Sequence, residues 1–162
     1  MTETKIRPAD ETDLERILEI YAYAREFMAQ NGNPTQWHSG YPRRELLEED
    51  IRLGRLYAVM RQNEICGAFV FFIGDDPTYR YIEGSWMADT PYGVIHRIAG
   101  QGGGIFADAL AFCEAQISHI RIDTHHDNKP MQRFLSKNGF IPCGDIRLAD
   151  GAPRIAFEKL LK

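Results

Sequence analysis

The first residues in this chain able to do chemistry are glycines. Gly100, Gln101, Gly102, Gly103 and Gly104 follow an apolar stretch at 94–99 and lead straight into a helix-forming segment at 104–116. Strand, glycine turn and helix, in that order, can hold phosphate with backbone alone. Glycine lets the chain approach an anion, and the first helical turn offers unpaired N–H groups and the positive end of its dipole. Two familiar phosphate loops can be tested by spacing. The nucleotide-hydrolase loop needs Lys and then Ser or Thr directly after its last glycine, where this chain has Ile105 and Phe106. The dinucleotide fingerprint needs G-x-G-x-x-G. Counted from Gly100 its third position is Ile105. Counted from Gly102 it is Ala107, an allowed variant, but past the middle of a short chain rather than near the start of a repeated strand–helix–strand fold. A flexible turn with no ligand is the plainer alternative.

Other residues with chemical capacity are scattered. His96 lies in the strand that delivers the glycines and can exchange protons near neutral pH, although alternation sets it on one face with Val94 and Ile98, a setting that also suits a core histidine. Glu83 lies in a stretch, 80–86, that reads as strand or loop; its carboxylate is either a base beside the site or a surface charge. Gln36, Trp37 and Tyr41 make the loop at 31–42 aromatic-rich, which suits the wall of a small-molecule pocket or a cover on the edge of the core. His125, His126 and Asp127 are consecutive, so their side chains diverge, and no fourth ligand stands at metal-like spacing; no metal is expected. Cys66, Cys113 and Cys143 are odd in number with no C-x-x-C, which points to a reduced, cytoplasmic protein.

The elements that must position these groups follow from periodicity. A strand at 5–8 precedes a helix whose start carries Thr12 and, three residues on, Glu15, the pattern of a capping box. Leu14, Ile17, Leu18, Tyr21, Ala24 and Met28 then recur on one helical face. A charged helix spans 44–53. Strands at 55–61 and 64–73 flank a tight turn at Gln62-Asn63. Further strands are expected at 92–99 and 119–124. A helix opens near Pro130 and stops before Gly139, and a final hairpin turns at Asp150-Gly151. The chain has 162 residues, 44% hydrophobic and 26% charged, which suits one α/β domain over 1–162. No apolar run reaches the ~20 residues of a membrane span, and the N-terminus lacks the apolar core of a signal peptide, so no membrane association is expected. A net charge of −4 and a pI near 5.7 argue against nucleic acid as a partner, since that binding needs a basic face.

Residues 101–106, QGGGIF, resemble the pyrophosphate loop of the GCN5-related N-acetyltransferases (GNAT), with Gln101 and Gly104 at matching positions and Phe106 departing from the last one. Arg97, Gly100 and Gly102 match the motif literally but would set it inside the strand. Ile6-Arg7-Pro8-Ala9 with Asp13-Leu14 is similar to the family's opening, and residues 128–140, NKPMQRFLSKNGF, to its last helix and the strand after it; the resemblance spans roughly 4–160. It implies the GNAT fold: a mixed sheet of about six or seven strands with about four helices, and strands that splay at the ligand site. It implies acetyl-CoA as donor, held by the backbone of Arg97, Ile98 and Ala99, by Gln101, Gly102, Gly103, Gly104, Ile105 and Phe106, and by Asn128, which equally reads as a helix cap. Gln36, Trp37, Tyr41 and His125 would line the acceptor site, with His96 or Glu83 as base. Many members carry a Tyr, acid to the leaving thiolate, where this chain has Leu135. The expected function is direct transfer of acetyl to a primary amine in a ternary complex; the alternative is a non-catalytic acyl-CoA sensor, with a nicotinamide or flavin oxidoreductase more distant. Small amine, amino acid, antibiotic and protein N-terminus stay open as acceptors, and a homodimer is expected by analogy alone.

Overall fold

The computed structural model describes residues 3–37 and 40–161. Eight strands form one mixed sheet: β1 (Thr4–Pro8), β2 (Leu56–Arg61), β3 (Glu64–Ile73), β4 (Glu83–Gly84), β5 (Gly93–Gly100), β6 (His119–Thr124), β7 (Ile141–Arg147) and β8 (Pro153–Leu160). Their spatial order is β1-β2-β3-β5-β6-β8-β7-β4. Four helices cover it: α1 (Leu14–Gln30), α2 (Arg44–Arg52), α3 (Ile105–Glu114) and α4 (Lys129–Lys137). The eighth strand, beyond the six or seven expected, is the two-residue β4, which pairs Glu83 and Gly84 with Asp145 and Gly144 of β7 at the sheet edge. The rest of 80–86 is turn and loop. Among the described residues no helix is long and apolar enough to cross a membrane.

Alternation along β2 and β3 sorts the core into two layers. Leu56, Ala58, Ala68 and Val70 meet Leu14, Ile17, Ile20, Tyr21 and Leu47 of α1 and α2. Val59, Phe69 and Phe71 meet Ile105, Ala109, Leu110 and Cys113 of α3 and Met131 and Leu135 of α4. A third cluster, Tyr79, Tyr92, Val94, Ile146 and Ala156, joins β5, β7 and β8 to the segment before β4.

The start of α1 departs from the Thr12–Glu15 expectation. Asp10 caps a single 3-10 turn at Glu11–Asp13 that runs on into α1. Its carboxylate accepts from the Thr12 amide at 2.9 Å, and Asp13 accepts from the Asp10 amide at 2.9 Å. A carboxylate is the stronger acceptor, and the Arg7 fork fixes Asp13 at 2.7 and 2.9 Å. The box is therefore built two residues earlier, from two aspartates.

Strict alternation also fails in β5. Register slips between Ala68 and Val70 of β3, so that Arg97 and Ile98 together face a single residue, and Arg97 has φ 49°. This is a bulge. Ile98 packs with Ile95 in the α3–α4 layer, while His96 stays on the Val94 face, its ring 6.2 Å from that of Tyr79. The grouping of His96 with Ile98 is thereby overturned.

Candidate active site

The glycine turn closes one end of a groove. Gly102 has φ 104° and Gly104, the residue capping α3, has φ 79°, a region where only glycine sits without strain. A Cβ on Gly103 would meet nothing within 4 Å, and one on Gly102 or Gly104 would meet only the Arg61 guanidinium, at 3.9 and 3.4 Å. The space over the turn is therefore open to a ligand, next to the positive end of a ten-residue helix. Just behind it the packing is tight: a Cβ on Gly100 or Gly67 would stand 2.7 or 2.8 Å from the buried Ile105. Ile105 thus anchors α3 to the sheet and presents no side chain to the groove. Phe106 does line the groove and stacks edge-on against Phe134 at 5.8 Å; a ring occupies the position where the motif prefers Gly or Ala.

Two arginines that sequence reasoning missed brace this turn. Arg61 donates to the Gly103 carbonyl at 2.7 Å and to Asp108 at 2.8 Å. Arg16 donates to the Gln101 side chain at 2.9 Å and to the Ile65 carbonyl at 3.1 Å. Gln101 therefore serves the turn's own structure through its side chain, and its amide donates to Cys66 O at 2.8 Å.

Past the turn the sheet opens. Parallel β5 and β6 pair at Gly93–Ile120 and Val94–Arg121 and then separate. Ile98, Ala99, Gly100 and Phe106 line a groove of about 300 Å³ against Tyr23, Phe27 and Pro130. Met28, Ile98, Asn128 and Met131 border both this groove and a second cavity of about 340 Å³, so the two adjoin. Asn128 is buried at the junction. It accepts from the Met131 amide at 3.1 Å as helix cap and donates to Gln36 at 2.9 Å. The Arg97 carbonyl already accepts from the buried Tyr21 hydroxyl at 2.8 Å.

The second cavity holds the titratable groups. His96 Nε2 lies 2.7 Å from Asp76 Oδ2, and both line the cavity. Asp76 is fixed in turn by the Thr78 amide and hydroxyl at 2.9 and 2.8 Å, while its own amide donates to Tyr92 at 2.9 Å. Burial pushes the Asp76 carboxyl up, but the hydrogen bond and charge of His96 and the Thr78 donors outweigh it and bring the pKa down to about 2. An ionised Asp76 holds the proton on Nε2, which leaves Nδ1 as the basic nitrogen. Among the described residues no hydrogen bond reaches Nδ1.

Gln36, Trp37 and Tyr41 line this cavity. Trp37 packs edge-on against Tyr21 at 5.6 Å, and Tyr41 accepts from Arg97 at 3.4 Å. Arg97 also pairs with buried Asp50, which fastens the loop to α2. Two other expectations are corrected. Glu83 is exposed on β4, 3.8 Å from Arg147, and does not border the cavity; the β4–β7 pairing carries it to the far sheet edge. His125 stands behind the wall. Its Nδ1 accepts from the Asp127 amide at 2.9 Å and its Nε2 meets Thr35 at 3.0 Å, while His126 turns to Asp145 at 3.5 Å. Among the described residues no three His, Cys, Asp or Glu groups gather as a metal site. Leu135 is 1% exposed in the α3–α4 layer, so no acid stands there.

Asp76, Thr78, Asp123, Thr124 and Arg154 also line the cavity and were missed. They come from one loop and two strands, and only the pairing of β6 with β8 brings Asp123 near Arg154. Asp76 was the one with a local sign, in Asp-Pro-Thr, where an Asp before Pro caps a turn.

Comparison with known proteins accords with this geometry. The model of the acetyltransferase (GNAT) domain family matches residues 4–141. A GNAT-family acetyltransferase from Streptococcus agalactiae is 29% identical, with a TM-score of 0.88 over 98% of this chain and 96% of that one. GNAT-family acetyltransferases from Bacillus cereus and Listeria monocytogenes share the fold at lower identity: 21%, TM-score 0.62, 99% of each chain, and 17%, TM-score 0.69, 98% of this chain and 95% of that one. A search of curated proteins finds no match. With a glycine turn capping α3, strands that part at the groove, and a family model that covers most of its length, this chain belongs to the GNAT acetyltransferase family.

Proposed function

We propose that the protein transfers acetyl from acetyl-CoA to a primary amine within a ternary complex. The carrying observation is that the two hollows adjoin: the groove from the glycine turn and the cavity holding His96 and Asp76 share Ile98 and Asn128 in their walls. Acetyl-CoA, the co-substrate, would supply an acetyl group activated as a thioester.

The residues present suit that donor. Gly102, Gly103 and Gly104 leave open space over unpaired amides at the α3 terminus, which suits a pyrophosphate. Ile98, Ala99 and Phe106 offer an apolar channel of the kind a pantetheine arm needs. The bulge at Arg97–Ile98 lifts backbone out of the ladder beside the channel, where an amide can face a developing oxyanion. Asp76 orients His96, and His96 Nδ1 takes the proton an ammonium must lose before its nitrogen attacks. A second proton leaves the nitrogen as the amide forms and goes to the departing sulfur or to solvent. Leu135 supplies no acid, and none is needed, because a thiol's ordinary pKa of about 8.5 makes it a tolerable leaving group near neutral pH. Three unpaired cysteines suit a cytoplasmic setting.

The test pairs binding with turnover. Acetyl-CoA and CoA should raise the melting temperature where NAD and FAD do not, and thiol release should follow when amines are added. Stabilisation by NAD but not by CoA compounds sinks the reading; tight acetyl-CoA binding with no turnover on any amine turns it into the sensor.

A further inference from the structure

One wall of the cavity carries a buried cation with no carboxylate of its own. Arg154, on β8, is 7% exposed and lines the cavity. Nη1 donates to the Pro153 carbonyl at 2.8 Å and Nη2 to the Gln36 carbonyl at 3.1 Å. Among the described residues no Asp or Glu forms an ion pair with it, whereas Arg97 pairs with Asp50 and Arg121 with Glu158. Buried arginines are ordinarily paired, because a desolvated charge is costly. Two carbonyls engage part of a five-donor fork and cancel none of its charge. That charge reaches its surroundings: the His125 pKa is lowered first by burial and next by Arg154. Thr124 also lines the cavity and its buried hydroxyl has no hydrogen-bond partner, but it pairs with Ile155 across the ladder and so stands on the opposite face of the sheet from Arg154.

The opposite charge is close at hand. Asp123 pairs with Ala156 across the β6–β8 ladder, so Arg154 stands diagonally from it on the same face, with Cα atoms about 7–8 Å apart in such a pair. The two do not join: Asp123 accepts from the Tyr79 hydroxyl at 2.7 Å. A cation and an anion thus face the same cavity without neutralising each other.

We propose that the acceptor is a small zwitterionic amine, whose anionic oxyacid group (carboxylate or phosphonate) binds Arg154 while its ammonium lies toward Asp123 and His96. This rests on the acetyl-transfer reading and narrows it. A polypeptide N-terminus fits poorly, because its first carboxylate has become an uncharged amide.

Matched acceptors test this: an α-amino acid, its carboxamide, its decarboxylated amine, the corresponding aminophosphonate and a C-terminally amidated dipeptide. Binding is measured by calorimetry on CoA-saturated protein, and transfer by thiol release. Anionic amines should be favoured over the carboxamide on the order of ten- to a hundredfold, with the carboxylate–phosphonate comparison naming the oxyacid. In Arg154→Gln that ratio should fall toward one while acetyl-CoA affinity holds, and Arg154→Lys should recover part of it. A purely structural arginine would lower the melting temperature and leave the ratio alone. Equal or better binding of the carboxamide, decarboxylated amine or amidated dipeptide overturns the proposal, as does a preference that survives Arg154→Gln or no binding of any anionic amine. Discrimination in binding without thiol release removes the transfer reading and keeps the anion site.

Discussion

The two adjoining hollows are built by opposite means. At the glycine turn the working parts are backbone: two positive-φ glycines, a helix terminus and open space where side chains would stand. At the cavity the working parts are side chains, His96, Asp76, Asp123 and Arg154, carried by strands and by the loop before β4. A backbone site is contiguous, so it shows itself in a few consecutive letters and tolerates change around it. A side-chain site is assembled, so its chemistry depends on sheet register. The difference predicts that damage at one end leaves the other intact.

The largest effect should come from removing the base. His96→Gln should lower transfer by about a hundred- to ten-thousandfold, and equilibrium binding should show acetyl-CoA affinity within a few-fold of wild type. Retained turnover would shift the base elsewhere; lost donor affinity would show that the two ends are coupled after all.

Gly104→Glu attacks the backbone end. It sets a like charge where a pyrophosphate should lie and a side chain at φ 79°. Like-charge juxtaposition costs several kcal/mol, so CoA affinity should fall on the order of a hundred- to a thousandfold. Circular dichroism should show the fold retained, with a lower melting temperature from the strained φ. Unchanged affinity would refute the assignment of the turn to the donor.

The smallest effect sharpens the dyad. In the folded chain Asp76 stays ionised down to about pH 2, against an ordinary 3.8. Between those values the unfolded chain binds more protons, so stability rises with pH there. The contribution, on the order of 2 kcal/mol, is complete above about pH 4 and lost as pH falls through about 2. Denaturant titrations from pH 2 to 5 should show Asp76→Asn with a flatter pH slope than wild type, on top of a lower stability throughout; equal slopes would mean the His96 contact does not hold the carboxylate.

Legibility followed the same division. Helices α1 to α4 and the long strands were readable because each is periodic over its own length, and the glycine turn because its residues are adjacent. Gln36, Trp37 and Tyr41 were readable as an aromatic loop. Glu83 misled because nothing in YIEGSW says which edge of the sheet the segment joins; pairing with β7 decides that. His96 was found for its residue type, but alternation misassigned its neighbour Ile98, because a one-residue bulge reverses every later side chain.

The sequence alone determined the order of elements, the α/β layer architecture and the glycine turn, since those rest on local propensity, hydrophobic period and glycine's access to positive φ. Tertiary structure alone decided where β5 parts from β6, that Asp76 meets His96, and that Arg154 is buried without a carboxylate beside the cavity. Those are contacts between residues 20 to more than 100 positions apart, fixed by strand register and packing, and no local pattern in the chain encodes them.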